Sequence, residues 1–264
     1  MIAIIIILAT AIALIIGFGV AGNNAATVST LTSVGMISND GILSCIFVPD
    51  IKQGSVIQWE KTGLSGTVLR YENGKEDRTK QNPAFKGRVQ FFLNQVVSGN
   101  ASLLMKNVQL SDAGTYKCTV TTSAGTGNAK LDFRVGDYSP VDVENVTGGA
   151  LQCTSDSWYP KPSVTWLNTS SGENLTRFSE TSFQEVFDNA VEVVSLLKNV
   201  ALNGAYSCVI ENQIARGTSY VIVTDSGMKK KAQLDILTAA SQPSHHIPFH
   251  CLLIPILTYC LTLS

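Results

Sequence analysis

Covalent chemistry needs a nucleophile, a base or a bound metal, and this sequence offers few of the side chains that supply them. All three histidines, His245, His246 and His250, fall within the last 20 residues. Residues 1–244 therefore contain no imidazole to act as general base or metal ligand. Asp and Glu are scattered without the paired spacing that divides acid and base duties between two carboxylates, and no glycine-rich loop leads into a helix to cradle phosphate. Six cysteines are candidates for thiolates, metal ligands or half-cystines: Cys45, Cys118, Cys153, Cys208, Cys251 and Cys260. The clearest chemical signal is that of an acceptor. Four Asn-x-Ser/Thr sequons with no proline inside, at Asn100, Asn145, Asn168 and Asn174, mark amides for N-glycosylation and hence a secreted or surface protein. With a net charge of −1, the chain has no field to attract nucleic acid or another polyanion.

The elements that hold these residues begin with Asp112-Ala113-Gly114-Thr115-Tyr116-Lys117-Cys118, a tight corner leading into a strand. Strand residues two apart share a face, so Tyr116 and Cys118 point inward while Lys117 and Thr119 point out. Upstream, Cys45 lies in the apolar Gly41-Ile42-Leu43-Ser44-Cys45-Ile46-Phe47, and Trp59 follows in Val56-Ile57-Gln58-Trp59. Cys153, Trp166 and Tyr206-Ser207-Cys208 repeat the set, which marks an internal duplication. Cys, Trp, then Tyr-x-Cys resembles the immunoglobulin sandwich, with its tyrosine corner and inter-sheet half-cystines. The resemblance implies an all-β chain of two tandem sandwiches, with Cys45 paired to Cys118 and Cys153 to Cys208. Such bridges require an oxidising compartment and stabilise each domain by roughly 4 kcal/mol in the loop-entropy model. They also leave no thiolate nucleophile or zinc ligand in either domain. At 264 residues the chain has room for two domains of about a hundred residues plus flanking segments.

In chain order, residues 1–22 are almost wholly apolar and end in small residues, and so read as a secretory signal with cleavage near Ala21 or Gly22. Residues 27–136 form the first domain. The long stretch between Trp59 and Arg88 leaves room for two extra strands, which makes it variable-type, or V-set. Its first strand is expected over 27–34, and the polar run Glu72 to Pro83 as a loop. Arg88 and Asp112 have the chemistry of a bidentate pair closing the bottom of the sandwich. Gly125-Thr126-Gly127 resembles the Gly-x-Gly bulge of variable-type domains. Residues 139–224, after a short joint at 137–140, form a second domain whose Tyr159-Pro160-Lys161-Pro162-Ser163-Val164-Thr165-Trp166 resembles constant-type (C-set) domains. Tyr159-Pro160 is a candidate cis bond there. Asn203 stands where the first domain has Asp112, so no Arg and Asp brace is expected. Residues 225–246 read as a polar stalk whose Lys229-Lys230-Lys231 is a solvated run. The apolar 247–264 read as a membrane anchor, either a lipid-attachment signal or a single-pass span, and no Lys or Arg follows.

A variable-type domain above a constant-type domain, a stalk and an anchor resembles the B-seven family of immune co-signalling ligands. Specific runs carry that resemblance: Asp40 to Cys45, Pro49-Asp50-Ile51-Lys52, Val56 to Trp59, Gly99-Asn100-Ala101-Ser102-Leu103 and Lys106 to Leu110. It implies a ligand on the outer side of the plasma membrane that engages a receptor on T cells and restrains their activation, proliferation and cytokine output. The inhibitory sign comes from the resemblance alone. The family also implies recognition through the front sheet of the outer domain. Alternation assigns to that face Gln58, Glu60, Lys117, Thr119, Thr121, Lys130, Asp132 and Arg134, with Ser123 to Asn128 as the loop at its tip. No cofactor, metal, nucleic acid or small-molecule substrate is expected. The rival readings are an adhesion molecule acting by homophilic contact, or a butyrophilin-like relative.

Overall fold

The computed structural model describes residues 26–49, 54–146, 148–186 and 189–237. The expected leader and tail anchor, and 238–246 of the expected stalk, lie outside the described residues. The first domain contains β1 (Val28–Thr30), β2 (Ser33–Met36), β3 (Gly41–Leu43), β4 (Cys45–Phe47), β5 (Val56–Lys61), β6 (Leu69–Glu72), β7 (Lys75–Asp77), β8 (Val89–Phe91), β9 (Leu103–Met105), β10 (Gly114–Thr122) and β11 (Gly125–Gly136). The front sheet has the order β2-β11-β10-β5-β6-β7, and behind it lie β3-β9-β8 and the pair β1-β4. Alternation builds this sandwich, since Tyr116, Cys118 and Val120 of β10 and Ile57 and Trp59 of β5 are buried against Leu43, Cys45 and Leu103 from behind. A disulfide joins Cys45 to Cys118 across the sheets, and the Trp59 indole donates to the Ala101 carbonyl at 2.8 Å.

The second domain contains β12 (Asp142–Val146), β13 (Ala150–Trp158), β14 (Ser163–Asn168), β15 (Ser179–Glu185), β16 (Val191–Leu197), β17 (Ala205–Glu211), β18 (Ala215–Thr224) and β19 (Gly227–Ile236). Its sheets are β12-β13-β16-β15 and β14-β17-β18-β19. A disulfide joins Cys153 to Cys208. Trp158 and Trp166 are fully buried, and the Tyr159-Pro160 peptide is cis.

Four details depart from the sequence reading. The expected first strand breaks at Leu31-Thr32, because β1 pairs antiparallel with β4 while β2 pairs parallel with β11. One chain thus edges both sheets. The polar run after Glu72 is not all loop: Asn73 and Gly74, both at positive φ, turn the chain so that β7 adds a sixth front strand. At Gly125-Thr126-Gly127 the pairing with β10 runs without a bulge, and the hairpin loop is only Ser123-Ala124. Gly127 is needed for another reason, since a Cβ there would lie 1.8 Å from the Ala26 carbonyl oxygen. Finally, part of the expected stalk is sheet: β19 pairs with β18 along its whole length, from Thr224 opposite Gly227 to Ala215 opposite Ile236. Most of β19 is exposed on both faces, so no apolar alternation marks it in the sequence.

The joint is short and tied. Asp137 and Tyr159 exchange two backbone hydrogen bonds of 2.9 and 2.8 Å, and Val34 of the first domain packs against the core of the second.

Candidate functional site

The front sheet of the first domain is where the candidate recognition residues meet. Its central strand β10 lies between β5 and β11, and the register fixes the rows across it. Lys117 stands between Glu60 and Lys130, Thr119 between Gln58 and Asn128, and Thr115 opposite Asp132. Buried Tyr116, Cys118, Leu131 and Phe133 hold the backbone beneath, so each intervening side chain projects outward. The Thr115 hydroxyl donates to Asp132 at 2.7 Å, and Thr121 and Thr126 share a hydrogen bond of 2.9 Å.

A second strip runs sideways onto the neighbouring strand. Gln58 Nε2 donates to Glu60 Oε1 at 2.9 Å, Arg70 Nη1 donates to Gln58 Oε1 at 2.8 Å, and Arg70 pairs with Glu72 at 3.0 Å. Arg70 and Glu72 were not among the sequence candidates. The signal was the alternation of Leu69-Arg70-Tyr71-Glu72, whose apolar members are buried. Gln58, Arg70 and Glu72, with Thr67, Asp77 and Lys80, line a hollow of about 310 Å³.

The lysines differ from this strip. Among the described residues, no ion pair engages the side chain of Lys117 or Lys130. Like charges directly opposite in a sheet destabilise it by roughly 0.2–1 kcal/mol. The centre of the face therefore carries mixed charge, with Lys117 between Glu60 and Lys130 and Asp132 two residues from Lys130 along β11.

Arg134 does not belong to this surface. Its Nη1 donates to the Gln213 carbonyl at 2.8 Å and its Nη2 to the Leu237 carbonyl, which ties the end of β11 to the second domain. The parity argument gave the correct side of the strand. It could not show that β11 runs past the edge of the open face into the joint.

The Arg88 and Asp112 pair closes the corner that leads into β10. Arg88 Nη1 and Nη2 reach the two Asp112 oxygens at 2.8 and 2.7 Å, and the Gln109 amide donates to the same carboxylate at 2.8 Å. The hydrogen bond to Asp112 raises the Arg88 pKa. Above the pair, the Tyr116 hydroxyl donates to the Asp112 carbonyl at 2.7 Å, and burial pushes its phenol pKa up. Lys61, whose pKa is lowered by burial, caps the corner from the Ser111 carbonyl at 2.6 Å.

The sequons stand elsewhere. Asn100 lies on the back of the first domain, opposite Ile46. Asn145 is exposed on β12, while Asn168 ends β14 and Asn174 bridges to Leu167. Among the described residues no cluster of His, Cys, Asp and Glu could hold a metal ion, and no helix is long and apolar enough to cross a membrane.

Comparison with known proteins places this geometry in context. Residues 32–135 match the immunoglobulin V-set domain, and residues 138–218 match the Ig-C domain of the butyrophilin subfamily 3 member A2-like type. The chain is 48% identical over 246 residues to the mouse V-set domain containing T-cell activation inhibitor 1, covering 91% of this chain and 87% of that one. The human protein of that name is 47% identical over 244 residues, covering 90% and 86%. Among solved structures, the human B7-H4 IgV-like domain is 52% identical, covers 42% of this chain and 96% of its own, and superposes with a TM-score of 0.41.

Proposed function

This chain belongs to the family of the V-set domain-containing T-cell activation inhibitors, immunoglobulin-domain proteins and not enzymes, and from that premise we propose that it is a co-inhibitory ligand displayed outside the plasma membrane. In this reading the second domain and the residues after it carry the first domain outward. The front sheet of that domain binds a receptor on T cells and so restrains activation, proliferation and cytokine production. The contact residues are Gln58, Glu60, Arg70, Lys117, Thr119, Thr121, Lys130 and Asp132. N-glycans on Asn100, Asn145, Asn168 and Asn174 occupy other faces.

The observation that carries the assignment is the Lys117 and Lys130 pair. A sheet gains nothing from two facing ammonium groups, whereas an acidic patch on a partner would neutralise both and give the encounter electrostatic steering. Receptor-stimulated T cells exposed to the purified chain are expected to proliferate less. The Lys117→Glu/Lys130→Glu double variant, folded but charge-reversed, is expected to bind activated T cells at least tenfold more weakly and to lose suppression. Unchanged binding would discard this face, and self-clustering of expressing cells without suppression would favour adhesion.

A further inference from the structure

The back of the first domain carries an apolar stripe. Ile42, Ile46 and Val48, on the outer side of β3, β4 and the residue following, are 50%, 54% and 64% exposed. Half-buried Leu104 on β9 faces Ile42. Apart from Ser44 on the outer side, the strand run Gly41 to Val48 is apolar on both faces, the pattern of a strand covered on both sides. Among the described residues nothing covers its outer side. The equivalent strands of the second domain, β13 and β16, expose no large hydrophobic residue.

Asn100 stands directly opposite Ile46 in an antiparallel bridge, so the two side chains share the outer face with Cβ atoms about 5 Å apart. Both ends of the amide are fixed: Oδ1 accepts from the Ser102 amide at 2.9 Å, and Nδ2 donates to Gln95 Oε1 at 2.6 Å. We infer that the first sugar of an Asn100-linked N-glycan packs on Ile46, at the centre of this stripe, and on its neighbour Val48, and is the missing cover there.

The inference rests on the reading of Asn100 as an occupied sequon. In that linkage Nδ2 forms a bond to C1 of N-acetylglucosamine, C1 releases the diphosphate of a lipid-linked oligosaccharide donor, and one amide proton leaves. The remaining N–H is the one Gln95 Oε1 can hold, which directs the sugar over the sheet. N-acetylglucosamine suits the stripe because its ring C–H groups and acetyl methyl are apolar while its hydroxyls face water. The Ser102 hydroxyl, bonded within the fold to the Cys45 amide at 3.0 Å, is accessible for sequon recognition only before folding.

The test uses the full chain from glycosylating cells. An endoglycosidase leaves one sugar per site, and an amidase removes all of it. One sugar is expected to preserve first-domain stability. Complete removal is expected to lower that domain's melting temperature by about 4 °C or more and to raise apolar-dye binding, and Asn100→Gln to reproduce both effects. In Ile42→Thr/Ile46→Thr, removal is expected to shift melting less than half as far. Equal shifts in the two backgrounds would overturn the packing while leaving glycosylation intact. Mass spectrometry finding Asn100 unmodified would end both readings. Stripe protection that vanishes on dilution would assign the cover to a second copy of the chain and overturn the proposal.

Discussion

The two domains close the same sandwich by different means. Both staple their sheets, with the paired cysteines 73 positions apart in the first and 55 in the second. The first locks its bottom corner with charge. The Arg88 and Asp112 side chains are 17% and 3% exposed, and Tyr116 donates to the corner backbone. The second has no acid at this corner, where Asn203 turns the chain at positive φ, and its Tyr206 hydroxyl instead accepts from the Ala201 amide at 2.9 Å. Its core also holds two tryptophans: Trp158 and Trp166 donate to the Ser155 and Ser195 hydroxyls at 2.8 and 3.0 Å. The first domain thus closes its corner with a desolvated ion pair, and the second with a backbone amide on its tyrosine hydroxyl.

The staples should be nearly interchangeable in strength. Replacing both cysteines of either pair by alanine is expected to destabilise that domain by about 4 kcal/mol, measured as two resolved denaturant transitions. A loss confined to one domain would break the equivalence. The braces should not be interchangeable. Arg88→Met leaves Asp112 buried and unpaired, which costs the first domain about 3 kcal/mol, the lower end of the range because the arginine keeps some solvent. Asn203→Ala in the second domain is expected to cost only about 1 kcal/mol, from the left-handed backbone alone.

The tyrosines sharpen the contrast through pH. Burial raises the Tyr116 pKa above its usual 10.0, so folding favours the neutral phenol. That contribution is fully present below pH 10 and is lost as pH rises through the folded pKa. Alkaline titration of first-domain stability should therefore fall above pH 10 in the parent chain and flatten in Tyr116→Phe. That variant should also lose about 1 kcal/mol at neutral pH through its missing hydrogen bond. The smallest effect is the most diagnostic for function. Lys130→Glu removes a like-charge contact with Lys117 and is expected to raise first-domain stability by about 0.5 kcal/mol, while receptor binding falls.

Much of this was legible before any coordinates. Cys45, Trp59, Tyr116 and Cys118 lie on strands whose period-two alternation points them to one core, and the same order of residue types recurs at Cys153, Trp166, Tyr206 and Cys208. The outward faces of β5, β10 and β11 follow from the same parity. Legibility failed where no alternation exists. Exposed on nearly all of its length, β19 reads as stalk, and β7 hides in a polar run until the Asn73-Gly74 turn is seen to close a hairpin. The Gly127 requirement was invisible because it comes from the Ala26 carbonyl, about a hundred residues away.

By itself, then, the sequence determined the strands of the two sandwiches and the side of each that faces water, because those properties depend on local spacing and on the burial of apolar side chains, while the cysteine pairing was what the immunoglobulin resemblance implied. Only the tertiary structure decided which outward residues share an open surface and which are claimed by a neighbour. Lys117 and Lys130 became opposite neighbours through strand register, and Arg134 was drawn into the joint because chain segments distant in sequence supply the carbonyls it holds.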